Sequence, residues 1–423
     1  MIETRPKKRQ ERALLVGLEK EGTTKWDLAD SLDELKELAS SAGAEVVDTI
    51  TQKLHSPTAP YYIGKGKAEM IKHSFQEQQV TSVIFDNELS PAQGRNLEHL
   101  FNRKVLDRTQ LILDIFAQRA RSREGRLQIE LAQLQYLLPR LTRMWTHLSR
   151  QTGGIGTRGP GETQLEVDRR RVQERIARLE RELETVRKVR STQREGRRRH
   201  QWPVAAVVGY TNAGKSTLLN LLTGADVLAE DRLFATLDPT TRSFTLPYKQ
   251  RMLLTDTVGF LRKLPHQLIE SFKATLEEVS EADLLIHVVD LSHPRVDEHI
   301  DAVNEVTKEL GAFGKNTLLV FNKVDAVENA DLIAAYKARF PRSVAISART
   351  GEGVSALVQA LQDEVSSWKL NLRFRIPMSE SALVAEIHRA GRVLEERYEG
   401  NAAVIVAHVP PQLEQKLAVY ADK

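Results

Sequence analysis

A glycine-rich loop between an apolar run and a helical pattern constrains the fold of this chain most strongly. After the β-branched run 204–208 the sequence reads Gly209-Tyr210-Thr211-Asn212-Ala213-Gly214-Lys215-Ser216-Thr217, and a helical pattern follows over 216–222. Glycines let such a loop curl until its N–H groups and the helix N-terminus face an anion. Strand, loop and helix in this order predict a doubly wound α/β domain.

Four more apolar, β-branched runs extend this domain, and helical patterns separate them. The runs cover 252–255, 284–289, 317–321 and 343–346. Runs of this kind are typical of parallel strands that are buried on both faces. We therefore predict a P-loop domain over residues 201–368.

Phosphate chemistry is predicted at the glycine-rich loop and at the end of the next strand. Lys215 can reach the β and γ phosphate oxygens of a nucleotide, and the Ser216 hydroxyl can ligate Mg²⁺. Asp256-Thr257-Val258-Gly259 ends the run 252–255, where Asp256 can hold Mg²⁺ and the Gly259 N–H can bind the γ-phosphate. Lys215 and Gly259 are therefore candidate catalytic groups.

Guanine specificity is predicted from two short segments at later strand ends. In Asn322-Lys323-Val324-Asp325 the Asp325 carboxylate offers two acceptors to guanine N1–H and the 2-amino group, and adenine lacks both donors. Asn322 would brace the base and its loop, and Lys323 would cover the base face. Ser347-Ala348-Arg349 would present backbone N–H groups to guanine O6. Together these segments predict a guanine-nucleotide site with GTP as substrate.

The rest of the chain divides into three further parts by pattern. Residues 1–118 alternate β-like runs (13–18, 45–50, 82–86, 104–107) with helical patterns such as 31–41, which predicts a small α/β subdomain. Residues 119–200 carry two heptad stretches, typical of a coiled-coil helical hairpin, and Pro139 should kink or end the first helix. Residues 369–423 read as strand, helix, strand, strand, helix, a small α+β domain with a hairpin turn at Gly400-Asn401.

A loop with five glycines in nine positions separates the two heptad stretches. Gly154, Gly156 and Gly159 match the dinucleotide-binding pattern G-x-G-x-x-G, but they follow a long helix where that motif requires a strand. We therefore expect a hairpin tip here and not a nucleotide site.

Positive charge is concentrated in the predicted hairpin. The chain has a net charge of +4, and residues 119–199 hold 21 of its 61 Lys and Arg but only 10 of its 57 Asp and Glu. Such a concentration indicates a polyanion partner or a solvated helix surface. The chain has no cysteine, which excludes disulfides and thiolate chemistry, and no apolar run long enough to cross a membrane. We expect a cytoplasmic protein without stable membrane insertion, with peripheral membrane association as an alternative.

Several motifs resemble the HflX family of ribosome-associated GTPases. They are Tyr62-Ile-Gly-Lys-Gly-Lys67, Phe85-Asp86 with Leu89-Ser-Pro-Ala-Gln93, Leu113-Asp-Ile-Phe-Ala-Gln-Arg-Ala120, the tip loop from Gly153 to Glu162, and Phe234-Ala-Thr-Leu-Asp-Pro239. The resemblance implies a monomeric GTPase that binds the 50S subunit and its 23S rRNA near the peptidyl-transferase centre. It also implies splitting or rescue of stalled 70S ribosomes during stress, with hydrolysis releasing the factor, and no DNA partner.

The resemblance leaves the magnesium-binding threonine of the switch segment open. Thr236, Thr240 and Thr241 are the candidates, and similarity to the related Obg pattern favours Thr236 as third metal ligand beside Ser216 and Asp256. The segment expected to contact the nucleotide is Phe234, Ala235, Thr236, Leu237 and Asp238.

Hydrolysis must differ from the Ras pattern, because Phe260 stands where Ras-like enzymes place a water-orienting glutamine. We therefore expect slow basal turnover that the ribosome accelerates. Asn212 resembles the asparagine of potassium-activated GTPases, where K⁺ stabilises charge on the β and γ oxygens. The alternative is that Asn212 only shapes the loop.

RNA contacts are predicted at the hairpin, because glycines permit close backbone approach and arginines pair with phosphate. The predicted contacts are Arg150, Gly153, Gly154, Gly156, Arg158, Gly159, Arg169, Arg170 and Arg171. Two other functions remain open, a nucleotide-switched regulator that binds free RNA and an NTP-driven RNA helicase; Asp325 argues against an adenine-driven motor.

Overall fold

The chain folds into two compact units. The computed structural model describes residues 11–22, 24–141, 164–199, 202–224, 233–234, 236–247, 250–262, 278–312, 314–367, 372–390, 392–409 and 411–421. Unit one comprises Met1–Thr185, Arg232–Phe234 and Leu264–Ser271, and unit two comprises Val186–Asp231, Ala235–Lys263 and Phe272–Lys423. The boundary at Thr185 lies inside a long helix, so the predicted division of the chain into four parts remains a prediction.

Unit one begins with a parallel sheet of four strands in the order β2-β1-β3-β4. Its elements are β1 (Glu11–Glu19), α1 (Lys25–Ser41), β2 (Ala44–Lys53), α2 (Lys65–Gln78), β3 (Ser82–Phe85), α3 (Pro91–Phe101), β4 (Lys104–Asp107) and α4 (Arg108–Arg119). The sheet is buried against helices through apolar side chains such as Leu14, Ile71, Val83 and Phe85. The predicted α/β subdomain is thereby confirmed.

The first helix starts earlier than the sequence analysis predicts. We expected residues 31–41, but α1 begins at Lys25. Its N-cap is Thr24, whose hydroxyl accepts from the Asp27 N–H while the Asp27 carboxylate accepts from the Thr24 N–H. This reciprocal capping box satisfies two backbone donors, and it outweighs Ser31 as a helix start.

Two helices carry the heptad stretches. They are α5 (Arg123–Leu137) and α6 (Gln164–Arg199). Helix α5 ends two residues before Pro139, as predicted, and a bidentate ion pair joins Arg175 of α6 to Glu130 of α5 at 2.7 and 2.8 Å. The hairpin tip lies outside the described residues.

Unit two is built on a six-stranded sheet in the order β10-β9-β8-β5-β7-β6. Its elements are β5 (Val204–Gly209), α7 (Lys215–Thr223), β6 (Thr240–Thr245), β7 (Arg251–Asp256), β8 (Leu284–Asp290), α8 (Val296–Glu309), β9 (Thr317–Asn322), α9 (Ala330–Arg339), β10 (Ser343–Ala345) and α10 (Val354–Ser367). Five strands are parallel, which confirms the doubly wound domain, and their carboxyl ends meet at one edge.

Strand β6 is the one element of this sheet that the sequence analysis missed. It pairs antiparallel with β7 at the edge of the sheet. Its sequence, Thr-Thr-Arg-Ser-Phe-Thr, is mostly polar and partly exposed, so it lacks the apolar signal that marks the central strands.

A second, smaller sheet completes unit two and has the order β11-β13-β12. Strands β11 (Leu372–Pro377), β12 (Arg392–Glu399) and β13 (Ala402–His408) are antiparallel and pack with helices α11 (Ser381–Ala390) and α12 (Pro411–Leu417). Gly400 takes φ 61° in the hairpin turn. The predicted strand, helix, strand, strand, helix order is confirmed.

Across the helices of the described part of the chain, none has the length and apolar character needed to span a membrane.

Candidate functional site

The glycine-rich loop joins β5 to α7 at the carboxyl edge of the large sheet. Helix α7 begins at Lys215, and its N-cap, Gly214, has no side chain to cap the first N–H groups. Gly214 has φ 92°, and a Cβ there would lie 2.2 Å from Asn322 Nδ2, so only glycine fits. The uncapped N–H groups and the positive end of the helix dipole therefore form an anion site.

Lys215 is buried beneath this loop. Its Nζ donates to the Tyr210 carbonyl oxygen at 2.7 Å. Burial lowers the pKa of Lys215 to about 8, and the nearby Asp256 carboxylate opposes this shift. A bound phosphate would raise this pKa, because an adjacent anion favours the ammonium.

The three predicted magnesium ligands meet beside Lys215. The Ser216 Oγ donates to Asp256 Oδ2 at 2.6 Å and lies 2.8 Å from Thr236 Oγ1. Burial raises the pKa of Asp256, while its hydrogen bond from Ser216 and the charge of Lys215 act in the opposite direction. The structure therefore brings together two hydroxyls and a carboxylate from α7, the switch segment and β7.

These groups fit Mg²⁺. The other oxygen of Asp256, Oδ1, is buried and has no hydrogen-bond partner among the described residues. A buried carboxylate oxygen without a partner is costly, and hard oxygen donors are the ligands that Mg²⁺ prefers. Elsewhere in the described ranges there is no group of three or more His, Asp or Glu that could hold a metal.

The other two candidate threonines point to different partners. Thr241 Oγ1 lies 2.9 Å from Thr255 Oγ1 across the β6–β7 pair, and Thr240 Oγ1 donates to the Asp238 carbonyl oxygen at 3.5 Å. Among the described residues, Thr236 is the one of the three that contacts Ser216, which favours the choice made from the resemblance.

Asn322 connects the phosphate loop to the predicted base loop. Its Nδ2 donates to the Ala213 carbonyl oxygen at 2.8 Å, and its Oδ1 accepts from the Ala348 N–H at 2.9 Å. The side chain is buried at the end of β9. It therefore links the two loops through contacts with protein backbone, and its predicted role in bracing the base stays a prediction.

The neighbouring base-site residues lie on a short turn after β9. Lys323 has φ 62° and its Nζ lies 2.7 Å from Asp290 Oδ2, an ion pair absent from the sequence analysis. Asp325 is exposed on the one-turn 3-10 helix Val324–Ala326. Ser347 is buried, and its Oγ accepts from the Thr350 N–H at 3.1 Å, while Arg349 is exposed. An exposed carboxylate is available to a base that arrives from solvent.

The segment after Asp256 is hydrogen-bonded to the phosphate loop. The Phe260 N–H donates to the Gly209 carbonyl at 3.1 Å, and the Phe260 carbonyl accepts from the Thr211 N–H at 2.8 Å. A Cβ on Gly259 would lie 2.7 Å from Thr211 Cα and 3.1 Å from Lys215 Nζ. Glycine is therefore required at 259 for the close approach of the two segments.

Several predicted site residues have side chains that are buried in the protein, so any contact that they make with a nucleotide would come from the backbone. These are Ala213, Leu237, Thr257, Val258, Val324 and Ala348. Asn212 is exposed and takes φ 61° at the loop tip, while Thr217 and Asp238 are partly buried. Ala235 lies outside the described residues.

Phe234 occupies an unusual backbone conformation. It has φ 57°, is 1% exposed, and packs edge-on against Phe116 in unit one, with ring centroids 4.5 Å apart. Its side chain is thus engaged with protein, and any contact with a nucleotide would come from its backbone.

An aromatic stack beside the phosphate loop was not predicted. The Tyr210 ring lies parallel to the His299 ring, with centroids 3.8 Å apart and an interplanar angle of 6°. The Tyr210 hydroxyl accepts from the Arg262 N–H at 2.9 Å. The three residues are far apart in sequence, so spacing offered no signal for this contact.

The predicted RNA contacts divide into two groups. Arg150, Gly153, Gly154, Gly156, Arg158 and Gly159 lie outside the described residues. Arg169, Arg170 and Arg171 are exposed on α6, and the last two pair with Glu174 and Asp168 of the same helix at 3.6 and 3.8 Å. These three arginines are therefore accessible to RNA, and their contact with it stays a prediction.

Comparison with known proteins identifies three family models along the chain. They are described as the N-terminal region of GTP-binding GTPases (residues 29–117), the GTP-binding GTPase middle region (119–197) and a 50S ribosome-binding GTPase (204–323).

Curated relatives match nearly the whole chain. A protein named GTPase HflX from Lacrimispora saccharolytica is 48% identical over 94% of this chain and 93% of its own length. Another GTPase HflX, from Caldanaerobacter subterraneus subsp. tengcongensis, is 47% identical over 96% of this chain and 93% of its own. A solved structure described as SsGBP in complex with GDP is 27% identical, covers 84% of this chain and 98% of that chain, and gives a TM-score of 0.48.

Proposed function

Because the chain belongs to the HflX family of GTPases, we propose that this GTPase binds the ribosome in its GTP state. It binds the 50S subunit at 23S rRNA near the peptidyl-transferase centre and separates the subunits of stalled 70S ribosomes. Hydrolysis of GTP then releases the factor.

The convergence of Ser216, Thr236 and Asp256 beside Lys215 carries the hydrolytic part of this proposal. Lys215 balances phosphate charge, and the N–H groups at the start of α7 bind the phosphate oxygens. Gly259 presents its N–H towards the γ-phosphate. Mg²⁺ bound by Ser216, Thr236 and Asp256 would neutralise negative charge on the phosphate oxygens.

Guanine selection is assigned to Asp325, since its carboxylate is exposed on a turn next to the loops that Asn322 braces. We also propose K⁺ as a second cation at Asn212, because this side chain is exposed at the tip of the phosphate loop. A cation there would stabilise charge that develops during phosphoryl transfer.

Two observations support the ribosome as partner. The model that matches residues 204–323 is described as a 50S ribosome-binding GTPase. The long helix α6 presents exposed arginines at Arg169, Arg170 and Arg171. Arginines on a stiff helix pair readily with backbone phosphates, and such contacts release counterions. The glycine-rich tip is assigned the contact with rRNA from its sequence alone.

Sedimentation tests the partner. The protein, loaded with a non-hydrolysable GTP analogue, should pellet with isolated 50S subunits and show much weaker association with bulk RNA. Equal association with bulk RNA would favour the free-RNA regulator, and nucleotide-driven unwinding of an RNA duplex would favour the helicase.

Light scattering of stalled ribosomes tests the splitting activity. Replacing residues 153–161 with a Gly-Ser linker should abolish splitting and leave GTP binding intact. Reversing the charges of Arg169, Arg170 and Arg171 should weaken 50S binding and reduce its salt dependence, because fewer counterions are released. Reversing Arg178, Arg181 and Lys188, three exposed cations further along α6, is the matched control. Splitting at the wild-type rate by the linker variant would reject the role of the tip.

A further inference from the structure

A tyrosine of the phosphate loop makes contacts that the nucleotide site does not require. Tyr210 is buried, with 6% of its surface exposed, and its backbone carbonyl accepts from Lys215. Its ring extends away from the loop and stacks on His299 in the first turns of α8. Its hydroxyl accepts the backbone N–H of Arg262 at 2.9 Å.

Arg262 is held at both ends. Its backbone N–H is bound by Tyr210, and its Nη1 donates to Glu298 Oε2 at 2.6 Å. Glu298 is the neighbour of His299 on α8 and also accepts from Arg295 Nη1 at 3.0 Å. The start of α8 therefore fixes the Tyr210 ring and the Arg262 side chain together.

This arrangement completes a continuous pairing of two short segments. Residues 260–262 are joined to residues 209–211 through the Phe260 N–H, the Phe260 carbonyl and the Arg262 N–H, at 3.1, 2.8 and 2.9 Å. Gly259 precedes the paired residues, and it approaches the phosphate loop so closely that a Cβ there would lie 2.7 Å from Thr211 Cα and 3.1 Å from Lys215 Nζ. Fixing residues 260–262 therefore fixes the direction of the Gly259 N–H.

We propose that Tyr210 is a positioning residue for GTP hydrolysis, and that its hydroxyl holds Arg262 so that Gly259 and Phe260 stay aligned with the γ-phosphate. The need for such a device follows from Phe260, whose side chain has no polar group to orient water. With that side chain unable to act, the position of the backbone decides how well the segment supports the transition state.

The protonation state of His299 is compatible with its stack on Tyr210. Burial, followed by the neighbouring His293, lowers the pKa of His299 to about 3, so the ring is neutral at physiological pH. The ring of His293 lies 4.2 Å from that of His299, and the charged groups around them are Asp290, Arg262, Arg295, Glu298 and Lys323. A neutral imidazole packs face to face with Tyr210 without requiring a counter-charge.

The proposal rests on the GTPase activity and not on the ribosome, so it is tested on the isolated full-length protein. Tyr210→Phe keeps the ring and its stack but removes the acceptor for the Arg262 N–H. We expect the single-turnover rate of phosphate formation from GTP to fall about three- to tenfold, the effect of one lost hydrogen bond. The affinity for GDP, which has no γ-phosphate, should stay within about twofold of wild type.

Two further variants separate positioning from packing. His299→Ala removes the stack and leaves the hydroxyl in place, and should lower the same rate with GDP affinity retained. Tyr398→Phe removes a hydroxyl that donates to Glu396 on β12, in the smaller sheet, and should leave the rate unchanged. A wild-type rate in Tyr210→Phe overturns the proposal. It is overturned equally if that variant loses GDP affinity and thermal stability in step with the rate, since packing alone would then explain it.

Discussion

The Ser216 hydroxyl donates a 2.6 Å hydrogen bond to Asp256. Ser216 lies in the first turn of α7, and Asp256 ends β7, 40 positions further along the chain. The bond brings a hydroxyl and a buried carboxylate to the same point at the carboxyl edge of the sheet, where Thr236 also arrives. Metal binding at this point should depend on Thr236 and not on the other threonines of the same segment.

Thr236→Val should raise the Mg²⁺ concentration required for half-maximal GTP hydrolysis. The variant keeps the shape of the side chain and removes one oxygen ligand, and a lost hydrogen bond to a charged group costs about 1.5–3 kcal/mol, or roughly ten- to a hundredfold. The measurement is the GTPase rate against free Mg²⁺. Thr241→Val is the matched control, because Thr241 pairs with Thr255; a larger effect in that control would move the ligand to Thr241.

Asp325→Asn should change the preferred base from guanine to xanthine. The amide replaces one acceptor oxygen with a donor, so binding of GTP should weaken by about 2–4 kcal/mol, given charge-assisted bonds of about 1.5–3 kcal/mol each that are not fully additive. Competition between labelled GDP and xanthosine diphosphate measures the change. Asp301→Asn, at an exposed position of α8, provides the control for loss of one negative charge. Unchanged GTP affinity in Asp325→Asn would remove this residue from the base site.

Potassium should accelerate hydrolysis through Asn212. We expect faster turnover in KCl than in NaCl at equal ionic strength, with and without 50S subunits. Asn212 has φ 61°, so Asn212→Gly removes the amide without adding backbone strain, whereas alanine would introduce it. The glycine variant should hydrolyse GTP at the same rate in both salts. If the wild-type rates are already equal, Asn212 has only its structural role in the loop.

Acidification should destabilise unit two. Burial, with a contribution from Lys215, lowers the pKa of His287 on β8 to about 3, and the pKa of His299 falls similarly. Between about pH 6.5 and 3 the unfolded chain therefore binds protons that the folded unit excludes. The contribution of these two histidines to the free energy of unfolding is thus complete above pH 6.5 and decreases as the pH falls. Each histidine should contribute about 1 kcal/mol of this loss between pH 6.5 and 5.5.

Thermal melting checks this sign. The transition of unit two is recognised by its upward shift when GDP is added. His287→Asn should make that transition less sensitive to pH, while His73→Asn, at an exposed site on α2, should leave the sensitivity unchanged. A melting temperature of unit two that rises as the pH falls from 7.5 to 5.5 would contradict the expected direction.

Local patterns predicted the large sheet well because its central strands are continuously apolar. The runs 284–289 and 317–321 became β8 and β9 with an error of one residue at the end. Helix α1 was misplaced at its start, although Thr24 and Asp27 carried the capping-box spacing that indicates a helix N-terminus. Strand β6 gave no signal because it is polar and depends on pairing with β7.

The residues of the candidate site also fall into those that the local sequence predicted and those that it did not. Residues whose role is set by local geometry, such as Gly214 and Lys215, could be placed from the loop sequence alone. Contacts between distant segments could not. The stack of Tyr210 on His299 joins residues 89 positions apart, and the ion pair of Lys323 with Asp290 joins two strand ends. Such partners are decided by how the sheet assembles.

Asn322 has a thermodynamic consequence for the ligand as a whole. One amide holds the Ala213 carbonyl of the phosphate loop and the Ala348 N–H of the base loop, so the two loops share a single support. A fragment of the nucleotide that orders one loop lowers the entropic cost of ordering the other. Guanosine and pyrophosphate should therefore bind with positive cooperativity, each raising the affinity for the other by the same factor, as reciprocity requires.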